Sequence, residues 1–92
     1  MRLTINVTER DIMTGTCADA ELCAIALAAI RATANHPRIW RVSVQPRTIK
    51  FFNAGNQMVC CRNLPRKARE FITNYDSGHS VRPISFGVNL PS

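Results

Sequence analysis

The sequence predicts a small α+β domain with a mainly antiparallel sheet and two helices on one face of that sheet, in the order β-α-β-β-β-α-β. Three observations lead to this prediction. Apolar and polar residues alternate in several short stretches, as they do in half-buried strands. Two longer stretches carry apolar residues at helical spacing. The chain has 92 residues, which is the length of a single domain, so one domain over residues 1–92 is expected.

The first predicted strand covers residues 2–7, because the odd-numbered side chains in this stretch are all apolar. The next residues have the form of a capping box, in which Thr8 caps a helix start and Asp11 takes the place of the usual Glu. One short helical turn is therefore expected after the strand, and Gly15 is expected to end it.

The strongest helix prediction covers residues 19–34. Asp19 and Glu21 stand near its start, where negative charge suits the helix dipole, and Pro37 follows its end. Apolar residues lie on both of its faces, which is typical of a helix that is covered on more than one side. A domain of this size has little material for such cover, so the sequence predicts a homo-oligomer formed through helix 19–34. The alternative is that some of its alanines face solvent.

Three strands joined by two turns are predicted in the middle of the chain. The strands cover residues 39–45, 48–53 and 57–62, and the turns cover 45–47 and 53–56. Alternation places three apolar side chains on the inner face of the first of these strands: Trp40, Val42 and Val44.

A second helix is predicted over residues 65–75, and a last strand over 84–88. Pro65 suits the first turn of a helix, and Gly78 suits the left-handed residue that follows one. One face of this helix carries apolar residues at positions i, i+3, i+4 and i+7 and is expected to pack on the sheet: Ala68, Phe71, Ile72 and Tyr75.

Charge is distributed unevenly along the chain. The 12 Lys and Arg residues exceed the 6 Asp and Glu residues, and residues 36–69 contain cations but no acid. We predict that this basic central stretch forms an anion-binding surface of eight residues: Arg38, Arg41, Arg47, Lys50, Arg62, Arg66, Lys67 and Arg69. Arginine favours phosphate because its planar guanidinium can donate two hydrogen bonds to it.

Three of these cations stand at the start of the second predicted helix. The positive end of the helix dipole disfavours cations there by roughly 0.3–1 kcal/mol each at low salt. A residue choice that opposes local stability is a candidate for function, and free backbone N–H groups beside arginines form an anion site. The alternative is that the basic surface only keeps the protein in solution.

The sequence leaves two kinds of anionic ligand open. It contains no helix-turn-helix, zinc-finger or RNA-recognition signature. One of Phe51 and Phe52 is expected on the open face of the sheet beside Lys50, where bases could stack on it. A small phosphorylated ligand is an equal candidate, because a few arginines and helix amides are enough to bind it.

Four cysteines are expected to be reduced thiols that bind no metal: Cys17, Cys23, Cys60 and Cys61. Their spacing does not fit the paired clamps of zinc sites, and no histidine lies near any of them in the sequence. The sequence also lacks paired carboxylates and a nucleophile–base set. We therefore expect no catalytic residue, no cofactor and no enzyme activity.

Nothing in the sequence indicates export or membrane insertion. The longest apolar run covers nine residues, Leu22 to Ile30, whereas a membrane span needs about 20. The first residues lack the apolar core of a signal peptide. We therefore expect a cytoplasmic protein without a membrane partner.

Several spaced blocks of the chain resemble a family of small proteins encoded by bacteriophages and prophages. The blocks are Asp11–Gly15, Cys23–Ala28 and, the most specific of the three, Leu64–Phe86. The resemblance implies a phage origin and a small size, and it implies no established activity. It also implies action in the cytoplasm of the host, where small phage proteins often act on defence systems.

Two functions of different classes follow from these observations. The first is a non-catalytic phage accessory protein that binds a phosphate-rich ligand, either nucleic acid or a nucleotide signal of host defence, through the basic central stretch. The second is a protein inhibitor or adaptor, such as an anti-defence or anti-CRISPR protein, that docks on an acidic host protein. In the second case the same cations would speed association with that partner.

Overall fold

The α+β class is confirmed by the computed structural model, which describes residues 1–91. Within that range the chain forms five strands and three helices. In chain order they are β1 (Arg2–Val7), α1 (Glu9–Thr14), α2 (Ala24–Ala32), β2 (Arg41–Val44), β3 (Thr48–Phe52), β4 (Met58–Asn63), α3 (Arg66–Asp76) and β5 (Ile84–Asn89).

The strands form two antiparallel sheets instead of one. β1 pairs with β5 along its whole length, with Ile5 opposite Phe86. β2, β3 and β4 form the second sheet in that order. The two ends of the chain extend the first sheet, because the Met1 carbonyl accepts a 2.7 Å hydrogen bond from the Leu90 amide. The predicted single sheet is thus divided between the ends and the middle of the chain.

Helix α2 is largely buried because the chain itself covers it. It packs against β1 of one sheet, against β2 of the other, and against α1. Its buried residues lie on both faces: Ala24, Ile25, Ala26, Ala28 and Ala29. The sequence predicts that a second subunit covers part of this helix. In the structure, elements of the same chain provide most of that cover. Ile30 in this helix and Leu22 just before it remain exposed.

Helix α2 begins at Ala24 and not at residue 19, where the sequence places its start. Asp19 caps a separate turn, in which its Oδ1 accepts hydrogen bonds of 2.9 and 3.0 Å from the two amides at positions 21 and 22. In the same turn the Ala20 carbonyl accepts a 2.8 Å hydrogen bond from the Val44 amide of β2. This tertiary contact anchors residues 19–22 on the edge of β2, and no local sequence pattern reveals it.

The predicted capping box is confirmed at the start of α1. Thr8 Oγ1 accepts a hydrogen bond from the Asp11 amide (3.2 Å), and Asp11 Oδ2 accepts one from the Thr8 amide (2.8 Å). Asp11 is buried, and both of its oxygens accept hydrogen bonds from the Arg31 guanidinium, at 2.8 and 2.7 Å. These bonds are the main reason that the pKa of Asp11 is lowered from 3.8 to about 2. Arg31 also donates to the Asn6 carbonyl at 2.8 Å, so one cluster joins β1, α1 and α2.

Two glycines stand where the backbone requires them. Gly15 ends α1 as predicted, and a Cβ at this position would lie 2.6 Å from the hydroxyl oxygen of Tyr75. Gly78 follows α3 with a φ of +77°, which confirms the predicted left-handed residue. The hairpin between β3 and β4 also lies where the sequence predicts it, with Asn56 in the left-handed conformation.

Trp40 does not belong to the core, which contradicts the prediction. Its amide donates a 2.8 Å hydrogen bond to the Phe52 carbonyl, so strand-like pairing reaches this residue. The core does not extend as far as this residue. Val42 and Val44 are buried, whereas Trp40 is 74% exposed. Alternation along a strand indicates the face that a side chain takes, but not where the core beneath that face stops.

Helix α3 is amphipathic and contacts β5. Its buried side chains are the four that the sequence predicts: Ala68, Phe71, Ile72 and Tyr75. It is also the longest helix among residues 1–91, with 11 residues. None of the helices in this range combines the length and the apolarity that crossing a membrane requires.

Candidate anion-binding groove

The outward face of α3 carries the polar side chains of the candidate site. Arg66, Arg69, Glu70 and Thr73 follow one another at helical spacing on this face, and all four are exposed. Because the apolar residues of the opposite face already hold the helix on the core, packing does not dictate the residue types here. Their identities are therefore open to a functional explanation.

The turn between β2 and β3 brings a third arginine to this face. The Leu64 amide donates a 2.8 Å hydrogen bond to the Arg47 carbonyl, which holds the turn beside the start of α3. Pro46 and Arg47 line one side of a groove of about 460 Å³, and α3 lines the other with Arg66 and Arg69. Three of the eight predicted cations thus converge, although they are far apart in the sequence.

The start of α3 adds backbone donors close to these arginines. Pro65 is the N-cap residue, and no side chain caps the helix. The amides of Ala68 and Arg69 both donate to the Pro65 carbonyl, at 3.0 and 3.1 Å. The amides of Arg66 and Lys67 donate to no backbone or side-chain acceptor within residues 1–91. They lie at the positive end of the helix dipole, where an anion is stabilised.

Glu70 belongs to the groove, and sequence reasoning missed it because it follows the acid-free stretch by one residue. Its Oε1 accepts a 2.8 Å hydrogen bond from Arg66 Nε. This pair is exposed, so it contributes little to stability. The groove therefore contains three guanidinium groups and one carboxylate, and Arg66 can exchange its carboxylate partner for a ligand.

Two of the other predicted cations are held by contacts within the protein. The Arg41 guanidinium lies 3.9 Å from the centre of the Phe52 ring, donates to Asn56 Oδ1 at 2.7 and 3.1 Å, and lies 3.4 Å from a carboxylate oxygen of Glu21. Arg62 donates to two backbone carbonyls, those of Asn89 and Cys61, at 2.9 and 3.0 Å. Both side chains therefore have a structural role.

The remaining three predicted cations do not line this groove. Lys67 lies beside Arg2 and the β1–β5 sheet, in a depression of about 410 Å³. Lys50 is half-buried on β3, and Arg38 is exposed in the segment before β2. Three of the eight cations line the same groove and five do not, because a charge count along the chain contains no information on which side chains the fold brings together.

The aromatic residues divide as the sequence predicts, with one exception. Phe51 is buried and Phe52 is half-exposed, so one of the two faces outward as expected. The Arg41 guanidinium already covers the Phe52 ring, which removes one stacking surface for a base. Trp40, which the sequence assigns to the core, is the exposed aromatic residue and lines a separate groove with Ile30.

The four cysteines are free thiols. Burial raises the pKa of the Cys23 and Cys60 thiols, so both are protonated at neutral pH and are poor nucleophiles. Cys17 is exposed and donates to the Tyr75 carbonyl at 3.1 Å. Among residues 1–91, no group of three or more His, Cys, Asp or Glu side chains could hold a metal ion.

Comparisons of the chain with models of protein families, with curated proteins and with solved structures return no match. The resemblance to small phage proteins therefore stays a prediction, and so does the role of each cation.

Proposed function

We propose that this chain is a non-catalytic protein that binds a phosphate-rich anion in the groove of Arg47, Arg66 and Arg69. One observation carries the proposal: three exposed guanidinium groups from two elements converge beside an uncapped helix start. The fold itself does not require this convergence, because none of the three is buried. Each guanidinium group can donate two hydrogen bonds to a phosphate, and the free amides at the start of α3 can donate more.

The test uses two defined probes, a short fluorescent single-stranded DNA and inorganic tripolyphosphate. The double variant Arg47→Ala/Arg69→Ala is expected to weaken the binding of both by about tenfold or more, because each charge-assisted hydrogen bond contributes roughly 1.5–3 kcal/mol. Affinity for the DNA should also fall steeply with salt, since each neutralised phosphate releases counterions.

A matched control removes the same charge elsewhere. Arg10 in α1 and Arg38 before β2 are both exposed and do not line the groove. The double variant Arg10→Ala/Arg38→Ala is expected to change either affinity by less than about twofold at moderate salt, because salt screens charges outside the groove. Equal weakening by the two double variants would show that net charge alone attracts the probes, and the groove would then have no special role.

A second candidate function, an inhibitor or adaptor that docks on an acidic protein, has separate support. Trp40 is 74% exposed and lines a groove of about 510 Å³ with Ile30 and Pro37, and Arg38 is exposed close by. Tryptophan and arginine are enriched among the residues that dominate binding at protein interfaces. For this function, Trp40→Ala would abolish capture of the partner and leave tripolyphosphate binding unchanged.

The homo-oligomer is a further proposal, with less support than the sequence suggests. Most of helix 19–34 is covered within the chain, so a second copy could contact mainly Leu22 and Ile30 there. Sedimentation at high micromolar concentration decides the question, and a particle with the mass of one chain would contradict the proposal.

The setting of the protein also stays a proposal. A phage origin, a role against host defence and a cytoplasmic location rest on the resemblance and the sequence. Free thiols such as these four suit a reducing compartment.

A further inference from the structure

A mainly apolar cavity of about 220 Å³ lies next to the arginine groove, and Pro46 lines both. Buried side chains from three elements form its apolar wall: Ile25 of α2, Val44 of β2 and Ile72 of α3. A cavity of about 150 Å³ accommodates a benzene ring. This cavity therefore has room for a substituted aromatic ring, and through Pro46 it adjoins the groove that holds three guanidinium groups.

Two carboxylates, Asp19 and Asp76, also line the cavity. Oδ1 of Asp19 accepts hydrogen bonds from amides of its own turn, and Oδ1 of Asp76 accepts one from the Ala18 amide at 2.8 Å. Within residues 1–91, the second oxygen of each carboxylate has no hydrogen-bond donor. These oxygens can accept hydrogen bonds from hydroxyl or amino groups of a ligand, and they repel phosphate.

The arginine groove and the cavity form the two ends of one combined site, and these ends favour opposite chemical groups. Arg69 and Asp76 stand on the same side of α3, about 10 Å apart along its axis at 1.5 Å per residue. A ligand that satisfies both ends has phosphates at one end and, at the other, an aromatic ring with hydrogen-bond donors. A nucleotide has this arrangement, with its ribose hydroxyls next to its base.

We infer that the groove and the cavity together bind a small nucleotide, with its phosphates on the arginines and its base in the cavity. The inference rests on the proposed function for the phosphate end and adds the base end. An internal nucleotide of a long nucleic acid fits less well, because its 3′ phosphate, next to the ribose, would lie close to Asp19 and Asp76.

The experiment compares four ribonucleoside triphosphates with inorganic tripolyphosphate by calorimetry, without divalent cations. At least one nucleotide is expected to bind about tenfold or more tightly than tripolyphosphate, because the buried base adds contacts that the bare phosphate chain lacks. Equal affinity of all five probes would overturn the inference and leave the proposed function intact. If none of the five probes binds, both proposals fail.

Two variants locate the base. Ala20→Leu fills the cavity from a residue that is not fully buried, and it should remove the tenfold preference for the nucleotide while tripolyphosphate binding stays the same. Asp76→Asn keeps an oxygen for the Ala18 amide, and it should weaken the nucleotide about fivefold without weakening tripolyphosphate. Arg69→Ala should weaken the binding of every probe.

If Ala20→Leu does not fold, Asp76→Asn decides alone. A folded Ala20→Leu that keeps the full preference would overturn the inference, and so would an Asp76→Asn that keeps it.

Discussion

Helices α2 and α3 each place an arginine against a carboxylate, but the two pairs have different surroundings. In the first pair the Asp11 side chain is 5% exposed, and both of its oxygens accept hydrogen bonds from Arg31. In the second pair the side chains of Arg66 and Glu70 are 85% and 61% exposed and share one hydrogen bond. A buried carboxylate that loses its partner is costly, whereas an exposed pair contributes little. Arg31 is therefore needed for the fold, and Arg66 is available to a ligand.

The same difference extends to the whole of each helix. α2 has buried residues on both of its faces, whereas α3 buries one face and leaves the other to solvent. Substitutions in α2 should therefore change folding, and substitutions on the outer face of α3 should change binding. The following predictions, ordered by the size of the expected effect, test this separation.

The largest effect is expected for Ala28→Glu, because Ala28 is buried in α2. A carboxylate without a partner at this position should cost several kcal/mol, roughly the whole stability of a small domain. Circular dichroism should show an unfolded chain. The control is Ile30→Glu in the same helix, which should fold because Ile30 is exposed. A folded, stable Ala28→Glu would contradict the burial of α2.

Removing the partner of the buried Asp11 carboxylate should have the next largest effect. Arg31→Ala should lower the free energy of unfolding by about 3 kcal/mol, because it leaves the Asp11 carboxylate buried without its guanidinium. Arg66→Ala is the matched change in α3 and should cost less than about 0.5 kcal/mol. Urea unfolding measures the free energy of unfolding of both variants. Equal losses would contradict the difference in burial between the two carboxylates.

The pair of Asp11 and Arg31 should also make stability depend on acid pH. The pKa of Asp11 is about 2 in the folded protein, against 3.8 for the ordinary group. Its ionised form therefore contributes roughly 2 kcal/mol at pH values above about 4, and this contribution is lost as the pH falls from about 4 towards 2. Urea midpoints across this window should fall for the natural chain and less steeply for Asp11→Asn. Parallel curves for the two proteins would contradict a lowered pKa.

The smallest and most specific effect is expected for Glu70→Gln. The change removes the single carboxylate of the groove and releases Arg66, so it should strengthen tripolyphosphate binding about threefold at low salt. Stability should change by less than about 0.5 kcal/mol. Calorimetry and urea unfolding measure the two quantities, and weaker binding after this change would place the anion elsewhere.

Local patterns predicted most elements of the fold because local forces form them. The capping box of Thr8 and Asp11 and the left-handed Gly78 follow from contacts within a few residues. The apolar face of α3 follows from the spacing of its side chains along the helix. The α+β class followed from the same patterns. The start of α2 could not be predicted, because residues 19–22 are anchored by a hydrogen bond between Ala20 and Val44.

The candidate site could be predicted only in part. The excess of cations in residues 36–69 included Arg47, Arg66 and Arg69, which the fold brings together in one groove. The same count also included Arg41 and Arg62, which hold protein groups instead. Three further residues can be assigned to these sites only from the folded structure: Glu70 lines the groove, and Asp19 and Asp76 line the cavity.

The types of the elements and the excess of positive charge can be predicted from the residues in order, because side-chain periodicity, turn chemistry and composition are local properties. Packing settles how the strands divide into two sheets, what covers α2, that Trp40 lies outside the core, and which arginines share a groove. These outcomes depend on contacts between residues far apart in the chain. The free energy of such contacts comes from burial and geometry that no short stretch of sequence contains.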